Sequence, residues 1–363
     1  MSKISFKPAD TGTATFTIEA PATNTNRTII LPDTAGTIGI NSQYGLFAKA
    51  DRDTVLWTKT GNGTAESAQK LYVEVNGSVL EIASGTAVTM PTLVTGTDYA
   101  IWATPAGGFE ADDSFTTPPT ANSRLVGGFH YAPGGNAPAQ AGGDTTPQIN
   151  EYSFWDLKFR PSCEDPRGMA LVAGSFWADI YLLNTDPDSN GTSSYNKTIA
   201  DGSSAPIVPD AFGGNGVTTY GSLTWFEAQE VLAAYGKKAP TYSEFMALAY
   251  GVTEETSRGS DPGTTGVDDD WTSRWGIMQA TGNMWIWSRD FIADGTGTGG
   301  WQDITEGRGE VYTYNASARA GGLGGYWLTA TQAGSRCSDW SPAPSLSANF
   351  LGARGTAGHL ILD

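Results

Sequence analysis

The sequence predicts a mainly β protein that ends in an α+β domain. The 363 residues include 46 glycines and are only 16% charged, which is typical of turn-rich β proteins. Short apolar runs separated by Gly, Pro, Asn and Thr fill the first 150 residues, and capped helical patterns appear only after residue 220. The 12 tryptophans and 14 phenylalanines indicate packed cores rather than low-complexity disorder.

Residues 1–40 are predicted to form a β-rich, trimerising segment. The runs "TATFTIEA" and "NRTIILPD" are short strands between turns, and Ala14, Phe16 and Ile18 alternate as on a half-buried strand. A segment of this size cannot bury a core by itself. We therefore expect it to assemble with copies of itself or to cap another domain.

Residues 41–150 are predicted to form a β-sandwich domain. Asn76 and Gly77 separate "LYVEV" from "SVLEI", and Asn-Gly between two such runs is a strong hairpin signal. Several further short strands follow at close spacing, as in sandwich folds. The Gly-, Ala- and Pro-rich stretch 132–148 is predicted to be an exposed loop or linker that marks a domain boundary.

Residues 151–363 are predicted to form the C-terminal domain, which contains two adjacent helices. Thr224 and Glu227 form a capping box at the start of "TWFEAQEVLAAYG", and Gly236 follows its last turn. Thr241 and Glu244 repeat the capping box before "YSEFMALAYG". Beyond these helices the chain becomes irregular and rich in tryptophan.

Charge and composition exclude several classes of partner. Acidic residues outnumber basic ones by 38 to 21, so the net charge of −17 argues against binding nucleic acid through its phosphates. No apolar run is long enough to insert into a membrane.

Cys163 and Cys337 are too few for a disulfide framework, and "MSKISFKPAD" lacks the apolar stretch of a signal peptide. We expect free thiols and synthesis in the cytoplasm.

Residues 324–355 form a segment without helical or strand periodicity. Gly, Trp and Arg recur in "GGYWLTATQAGSRCSDWSPAPSLSANFLGARG", and the residues between them follow no pattern. Buried tryptophans, close-packed glycines and an arginine that donates several hydrogen bonds can hold a backbone while exposed side chains vary. A segment of this kind is unexpected at a place where a chain would normally complete its core.

Four ordered blocks in the last third of the chain resemble the C-type lectin fold shared with formylglycine-generating, sulfatase-modifying proteins. The blocks are "APTYSEF" at 239–245, "GNMWIW" at 282–287, "GGYW" at 324–327 and "GAR" at 352–354. Such an enzyme would also need paired active-site cysteines. Cys163 and Cys337 do not match that pattern, so we expect no enzymatic activity.

A closer resemblance, covering about the last nine-tenths of the chain, is to the major tropism determinant family known from a Bordetella phage. It is carried by "VGGFHYAPG", "QINEYSFWDLKFRP", "DPRGMALVAGSFWADIYLL" and "FLGARG". The family consists of receptor-binding variable proteins of diversity-generating retroelements. The resemblance implies an intertwined homotrimer at the tip of a virion tail fibre, other tail-fibre proteins as partners, and a host surface receptor, which we expect to be a protein. Residues 1–40 resemble instead the short β-repeats of tail-fibre proteins, and we expect a β-prism-like structure there.

The resemblance also implies individual site residues. The frame of the site would include Trp327, Arg336, Trp340 and Arg354. The variable, receptor-binding positions would be Tyr326, Leu328, Thr329, Ala330, Gln332, Asp339, Ser341, Pro342, Leu346, Ala348, Phe350 and Leu351.

A structural cation is the one possible cofactor, and none is required. Asp186, Asp188 and Asn190 match the first half of a calcium loop and could hold Ca²⁺ or Mg²⁺. The twelfth position is Lys197 rather than the bidentate glutamate of such loops, so a turn built from these residues is favoured. His130 and His359 are expected to be packed, hydrogen-bonded residues.

Three alternatives to receptor attachment remain open from the sequence. The same fold could serve a carbohydrate-binding adhesin, a sulfatase-modifying type of enzyme, or a purely structural fibre protein. The tryptophans at 285 and 287 are predicted to be core residues rather than a platform for stacking sugars.

Overall fold

The chain divides into two compact units, residues 1–42 and 43–363. The computed structural model of the chain describes residues 45–293, 299–302, 309, 311–313 and 318–362. All of these belong to the second unit. The β-prism-like segment predicted for residues 1–40 lies outside the described residues, so it stays a prediction.

Strands dominate the described residues and helices are short. The strands are β1 (Phe47–Lys49), β2 (Trp57–Gly61), β3 (Thr64–Ser67), β4 (Leu71–Val75), β5 (Ser78–Ile82), β6 (Val88–Thr89), β7 (Thr97–Ala103), β8 (Phe109–Asp112), β9 (Arg124–Ala132), β10 (Gln148–Ile149), β11 (Trp155–Asp156), β12 (Phe159–Pro161), β13 (Met169–Val172), β14 (Phe176–Asp179), β15 (Trp285–Ala293), β16 (Gly300–Gln302), β17 (Val311–Thr313), β18 (Ala318–Leu323), β19 (Ser338–Asp339), β20 (Leu351–Gly352) and β21 (Thr356–Ile361). The helices are α1 (Pro187–Asn190), α2 (Trp225–Ala234) and α3 (Tyr242–Leu248), with 3₁₀ turns at Glu151–Ser153, Asp210–Phe212, Asp269–Trp271 and Ala330–Gln332. No helix in the described ranges has the length and apolar character needed to cross a lipid bilayer.

The first strands form two small sheets whose turns follow the sequence signals. Strands β1, β4 and β5 pair in that order, and β2 pairs with β3. Asn76 and Gly77 join β4 to β5 with φ values of +50° and +76°, the left-handed conformations of a type I′ turn. The predicted Asn-Gly hairpin is therefore confirmed.

A ten-stranded sheet runs across residue 150, where the sequence predicts a domain boundary. Its order is β13-β14-β21-β12-β11-β9-β7-β8-β6, with β10 also paired to β9. The C-terminal strand β21 lies between β12 and β14 and is antiparallel to both. The sheet thus ties early and late parts of the chain together through backbone hydrogen bonds.

The predicted exposed linker at 132–148 is packed in part against later parts of the chain. The amide of Gly142 donates to the carbonyl of Gly251, and that of Gly143 donates to Asp269 at 2.8 Å. Ala137 is 2% exposed. Glycine and proline were interpreted as signs of an exposed loop, but here small residues permit close approach of two backbones. The prediction of an exposed loop is therefore confirmed for residues 138–141 and 144–146, and it is wrong for 132–137, 142–143 and 147–148, which are buried or half-buried.

The two predicted helices form with their predicted caps. The Glu227 carboxylate accepts the amide of Thr224 at 2.8 Å, and the Glu244 carboxylate accepts that of Thr241 at 2.7 Å. Helix α3 ends at Leu248, earlier than the glycine at 251 suggested. Both helices contact β15, so they support the sheet to which β15 belongs.

This last sheet contains six strands in the order β16-β17-β19-β18-β15-β20. Trp285 and Trp287 lie on β15 and are 5% and 0% exposed, which confirms that both tryptophans are core residues. Because β19 and β20 belong to the irregular segment 324–355, the sheet holds that segment at two places along its length.

Arg354 is a buried arginine that binds four backbone carbonyls from two distant segments. One terminal nitrogen donates to the carbonyls of Asp179 and Ile180 at 2.7 and 2.8 Å. The other donates to the carbonyls of Met278 and Gln279 at 2.6 and 3.2 Å. Burial lowers the pKa of Arg354 to about 9, with nearby Asp179 opposing the shift, so the guanidinium remains charged at neutral pH.

A buried lysine and aspartate extend this network. The Lys237 ammonium lies 2.6 Å from the Asp179 carboxylate and 2.7 Å from the Thr192 hydroxyl. The same carboxylate accepts the amide of Gly355 at 3.1 Å. Burial lowers the pKa of Lys237, but Asp179 more than offsets this and the pKa is raised. The network therefore joins the end of β14, the residues after α2 and the link between β20 and β21.

Replacing Arg354 should be strongly destabilising. We expect Arg354→Met to lower the free energy of unfolding by about 3–5 kcal/mol, because four buried carbonyls each lose a hydrogen bond from the guanidinium and Asp179 loses a neighbouring cation. Urea unfolding followed by tryptophan fluorescence measures this. Arg52→Met is the control, since that side chain is 62% exposed. A loss below about 1 kcal/mol in Arg354→Met would contradict the role given to this network.

Candidate ligand-binding face

The irregular segment begins with two glycines whose backbone no other residue type would adopt at low cost. Gly324 and Gly325 have φ values of +89° and +83°. A Cβ at the first would lie 2.6 Å from the Phe245 ring, and one at the second would lie 2.8 Å from Ala333. The turn out of β18 therefore depends on glycine for both conformation and space.

A loop outside the segment holds the next turn in place. The Ser257 hydroxyl donates to the carbonyl of Trp327 at 2.9 Å and accepts the amide of Ala330 at 3.0 Å. The Glu254 carboxylate accepts both the amide and the hydroxyl of Ser335, at 2.8 and 2.6 Å. We call residues 253–259 the clamp loop. Its side chains satisfy the backbone of the segment without using the side chains that the segment exposes.

The predicted frame residues occupy different environments. Trp327 is 8% exposed and Arg354 is fully buried. Trp340 is half-buried, and its indole nitrogen donates to the Ser338 hydroxyl at 3.0 Å. Arg336 is also half-buried, and its carbonyl accepts the Tyr242 hydroxyl at 2.7 Å.

Most of the predicted variable positions reach the surface. Leu328 is 61% exposed and Leu346 is 39% exposed, both high values for large apolar side chains. Ala330 is also exposed. The half-buried positions are Tyr326, Gln332, Asp339, Ser341, Ala348 and Phe350.

Three predicted variable positions are interior and are removed from the exposed face. Leu351 is fully buried on β20, where it pairs with Trp285. The Thr329 hydroxyl accepts the amide of Tyr326 at 2.9 Å and is part of the turn itself. Pro342 is buried, and its carbonyl accepts the amide of Ala320. Pro342 and Leu351 nevertheless line the wall of a cavity beside the segment, so a ligand that enters this cavity reaches them, whereas Thr329 is not part of that wall.

Aromatic rings line a cavity of about 500 Å³ beside the segment. Trp285 and Phe350 form part of its wall, with Leu346 at the exposed edge. The Tyr326 and Phe350 rings have centroids 5.0 Å apart. A depression with aromatic walls and an exposed aliphatic rim can accept an apolar group of a ligand.

A second cavity of about 260 Å³ shares Asp339 and Ser341 with the first. Trp301, Tyr312 and Arg319 complete its lining. The Trp301 ring lies 6.4 Å from that of Trp285, at an interplanar angle of 12°. These residues were not predicted. They lie outside the irregular segment, and the pairing of β17 and β18 with β19, and of β16 with β17, brings them to it.

Asp339 is the acidic group between the two cavities. Burial raises its pKa, while hydrogen bonds from Ser341 and the charge of Arg319 lower it, and the net shift is upward. The carboxylate is therefore poorly hydrated. A ligand that enters the second cavity meets both this carboxylate and the side chain of Arg319.

The residues of the calcium-loop motif serve as structural hydrogen-bonding partners. Asp186 caps α1 by accepting the amide of Ser189 at 3.0 Å. Asp188 accepts the Tyr235 hydroxyl, and the Asn190 amide donates to the carbonyl of Asp186. Throughout the described ranges, no three His, Cys, Asp or Glu side chains are grouped so that they could hold a metal ion.

Cysteines and histidines are placed in structural positions. Cys163 and Cys337 are buried in different hydrophobic clusters and are not joined by a disulfide. The two nitrogens of His130 lie 3.0 Å from Asp98 and 2.9 Å from the Tyr181 hydroxyl. His359 accepts the Trp177 indole nitrogen at 2.9 Å. The predicted packed and hydrogen-bonded histidines are confirmed.

Known proteins share this sequence and fold over most of the chain. The tail fiber receptor-binding protein of Bordetella phage BPP-1 is 48% identical over 329 residues, which cover 87% of this chain and 85% of that protein. The solved structures of the Major Tropism Determinant U1 and M1 variants each superpose with a TM-score of 0.81 and 47% identity, covering 90% of this chain and 89% of theirs.

These matches bear on both fold and family. The mainly β, C-type lectin fold predicted from the sequence is confirmed by the likeness to the tropism determinant structures. The family model described as the Mtd second domain matches residues 55–156. With this relative and these structures matching most of its length, the chain belongs to the major tropism determinant family of phage proteins.

Proposed function

We propose that this chain is a tail-fibre receptor-binding protein that attaches a phage virion to a host surface receptor and so determines which host is recognised. The observation that carries the proposal is the exposure of Leu328 and Leu346 on a backbone held by buried and clamp-loop residues. Large apolar side chains on a rigid surface are typical of binding interfaces. The name of the 48% identical relative supports the same function.

The proposed mode of binding is non-catalytic and needs no cofactor. Apolar contact area comes from exposed and half-buried side chains of the segment, and the aromatic cavity supplies a depression for an anchoring group. Exchanging these side chains would change specificity without changing the fold, because the frame is built from other residues. We propose that this is how diversification of the segment acts.

We further propose a homotrimer at the distal end of the tail fibre, in contact with other tail-fibre proteins and made in the cytoplasm of the bacterial host. The relative's name places that protein in a tail fiber. Three copies would strengthen a weak single site, because the second and third binding events become intramolecular.

Charged substitutions at the exposed leucines should weaken host adsorption. We expect Leu328→Glu and Leu346→Glu each to reduce it at least tenfold, since about 1.5–3 kcal/mol of apolar burial is lost and a charge faces the receptor. Adsorption of phage particles carrying each variant to cells of the permissive strain is the measurement.

Val79 on β5 provides the matched control for this experiment. Its side chain is 60% exposed, as against 61% for Leu328, and it lies on a hairpin far from the segment in sequence. Val79→Glu should leave adsorption unchanged. Normal adsorption of both leucine variants would overturn the assignment of the binding face and favour a purely structural fibre protein.

The trimer can be tested by mass in solution. We expect sedimentation equilibrium of the purified full chain to give about three times the single-chain mass of 38.2 kDa. A single-chain mass at micromolar concentration would refute the trimer but not the binding face.

The receptor is expected to be a protein, because the exposed leucines and aromatic cavity suit apolar side chains. Treating host cells with protease should abolish adsorption, whereas adding EDTA should not. Saturable, calcium-dependent binding of the purified protein on a glycan array, with protease-resistant adsorption, would instead identify a carbohydrate-binding adhesin.

A further inference from the structure

Ala330 has a backbone conformation that is unusual for alanine. Its φ is +54°, and within residues 324–355, all of which the structure describes, it is the single non-glycine residue in the left-handed region. Residues with a Cβ pay about 1–2 kcal/mol for this conformation, and asparagine and aspartate tolerate it better than other residues. Strain of this kind persists only where the surroundings impose it.

The clamp loop and the turn itself impose the conformation. The amide of Ala330 donates to the Ser257 hydroxyl at 3.0 Å, and its carbonyl accepts the amide of Ala333 at 3.1 Å. The carbonyl of Ala333 in turn accepts the amide of Glu255 at 2.9 Å. Relaxing φ to a negative value would break at least one of these bonds.

The side chain at 330 has room, so any restriction there comes from the backbone. Ala330 is exposed, as is Leu328 two residues earlier. Leu328 is not among the residues with positive φ. Two exposed positions of one turn therefore differ in backbone conformation.

We propose that the clamp loop makes position 330 a restricted position of the binding face, which accepts glycine, asparagine and aspartate readily and rejects β-branched residues. Position 328 carries no such restriction. The inference rests on the proposed function in taking both positions as exchangeable. Position 330 then contributes to specificity through small polar side chains, whereas position 328 can carry large apolar side chains.

A folding selection without any receptor tests this. All 20 residues are placed separately at 330 and at 328 in the full chain, displayed on cells and selected for resistance to protease. At 330 we expect valine, isoleucine and threonine to be depleted at least about fivefold relative to glycine, asparagine and aspartate, the factor that about 1 kcal/mol produces. At 328 we expect no such ranking.

Repeating the selection at position 330 in two Ser257 variants tests whether the clamp loop causes the restriction. Ser257→Ala removes the acceptor of the Ala330 amide and should flatten the ranking, whereas Ser257→Thr keeps a hydroxyl and should preserve it. Equal rankings at 330 and 328 would overturn the restriction. A ranking unchanged in Ser257→Ala would overturn the role of the clamp loop. Neither outcome depends on receptor binding, so the proposed function is tested separately by adsorption.

Discussion

The buried charges around Arg354 are the constraint on which the binding face depends. The guanidinium holds four carbonyls from two distant parts of the chain, and Asp179 beside it holds Lys237 and the amide of Gly355. A buried cation and its partners tolerate little displacement, because each broken bond would leave a poorly hydrated group unpaired. Leu351 and Gly352, at the end of the irregular segment, are thus anchored only a few residues from this network.

The face combines a rigid backbone with side chains that the fold hardly uses. Glycines 324 and 325, the clamp loop and strands β19 and β20 fix the path of the chain. Exposed residues such as Leu328 contribute little to that path. When the residues that hold the backbone differ from those that are exposed, an exposed side chain can be exchanged without breaking the hydrogen bonds that hold the backbone. One fold can then present many different binding surfaces.

Local patterns in the sequence predicted much of the fold. The Asn76-Gly77 hairpin and the two capping boxes formed as expected, because each depends on residues within a few positions of one another. The interpretation of 132–148 as an exposed linker holds only for 138–141 and 144–146, since the same small residues also permit close packing elsewhere in the stretch. Whether such small residues are exposed or closely packed depends on contacts with segments far away in the sequence, and a local pattern does not reveal those contacts.

The sequence by itself determined the mainly β class, the helix starts, the family and the segment that is proposed as the binding face. Only the tertiary structure decided which positions in that segment are displayed. It buried Thr329, Pro342 and Leu351, the last two of which still line a cavity, and it added Trp301, Tyr312 and Arg319 from strands outside the segment. The physical reason is that exposure and cavity lining depend on strand pairing between residues far apart in sequence, such as β17 with β19 and β15 with β20.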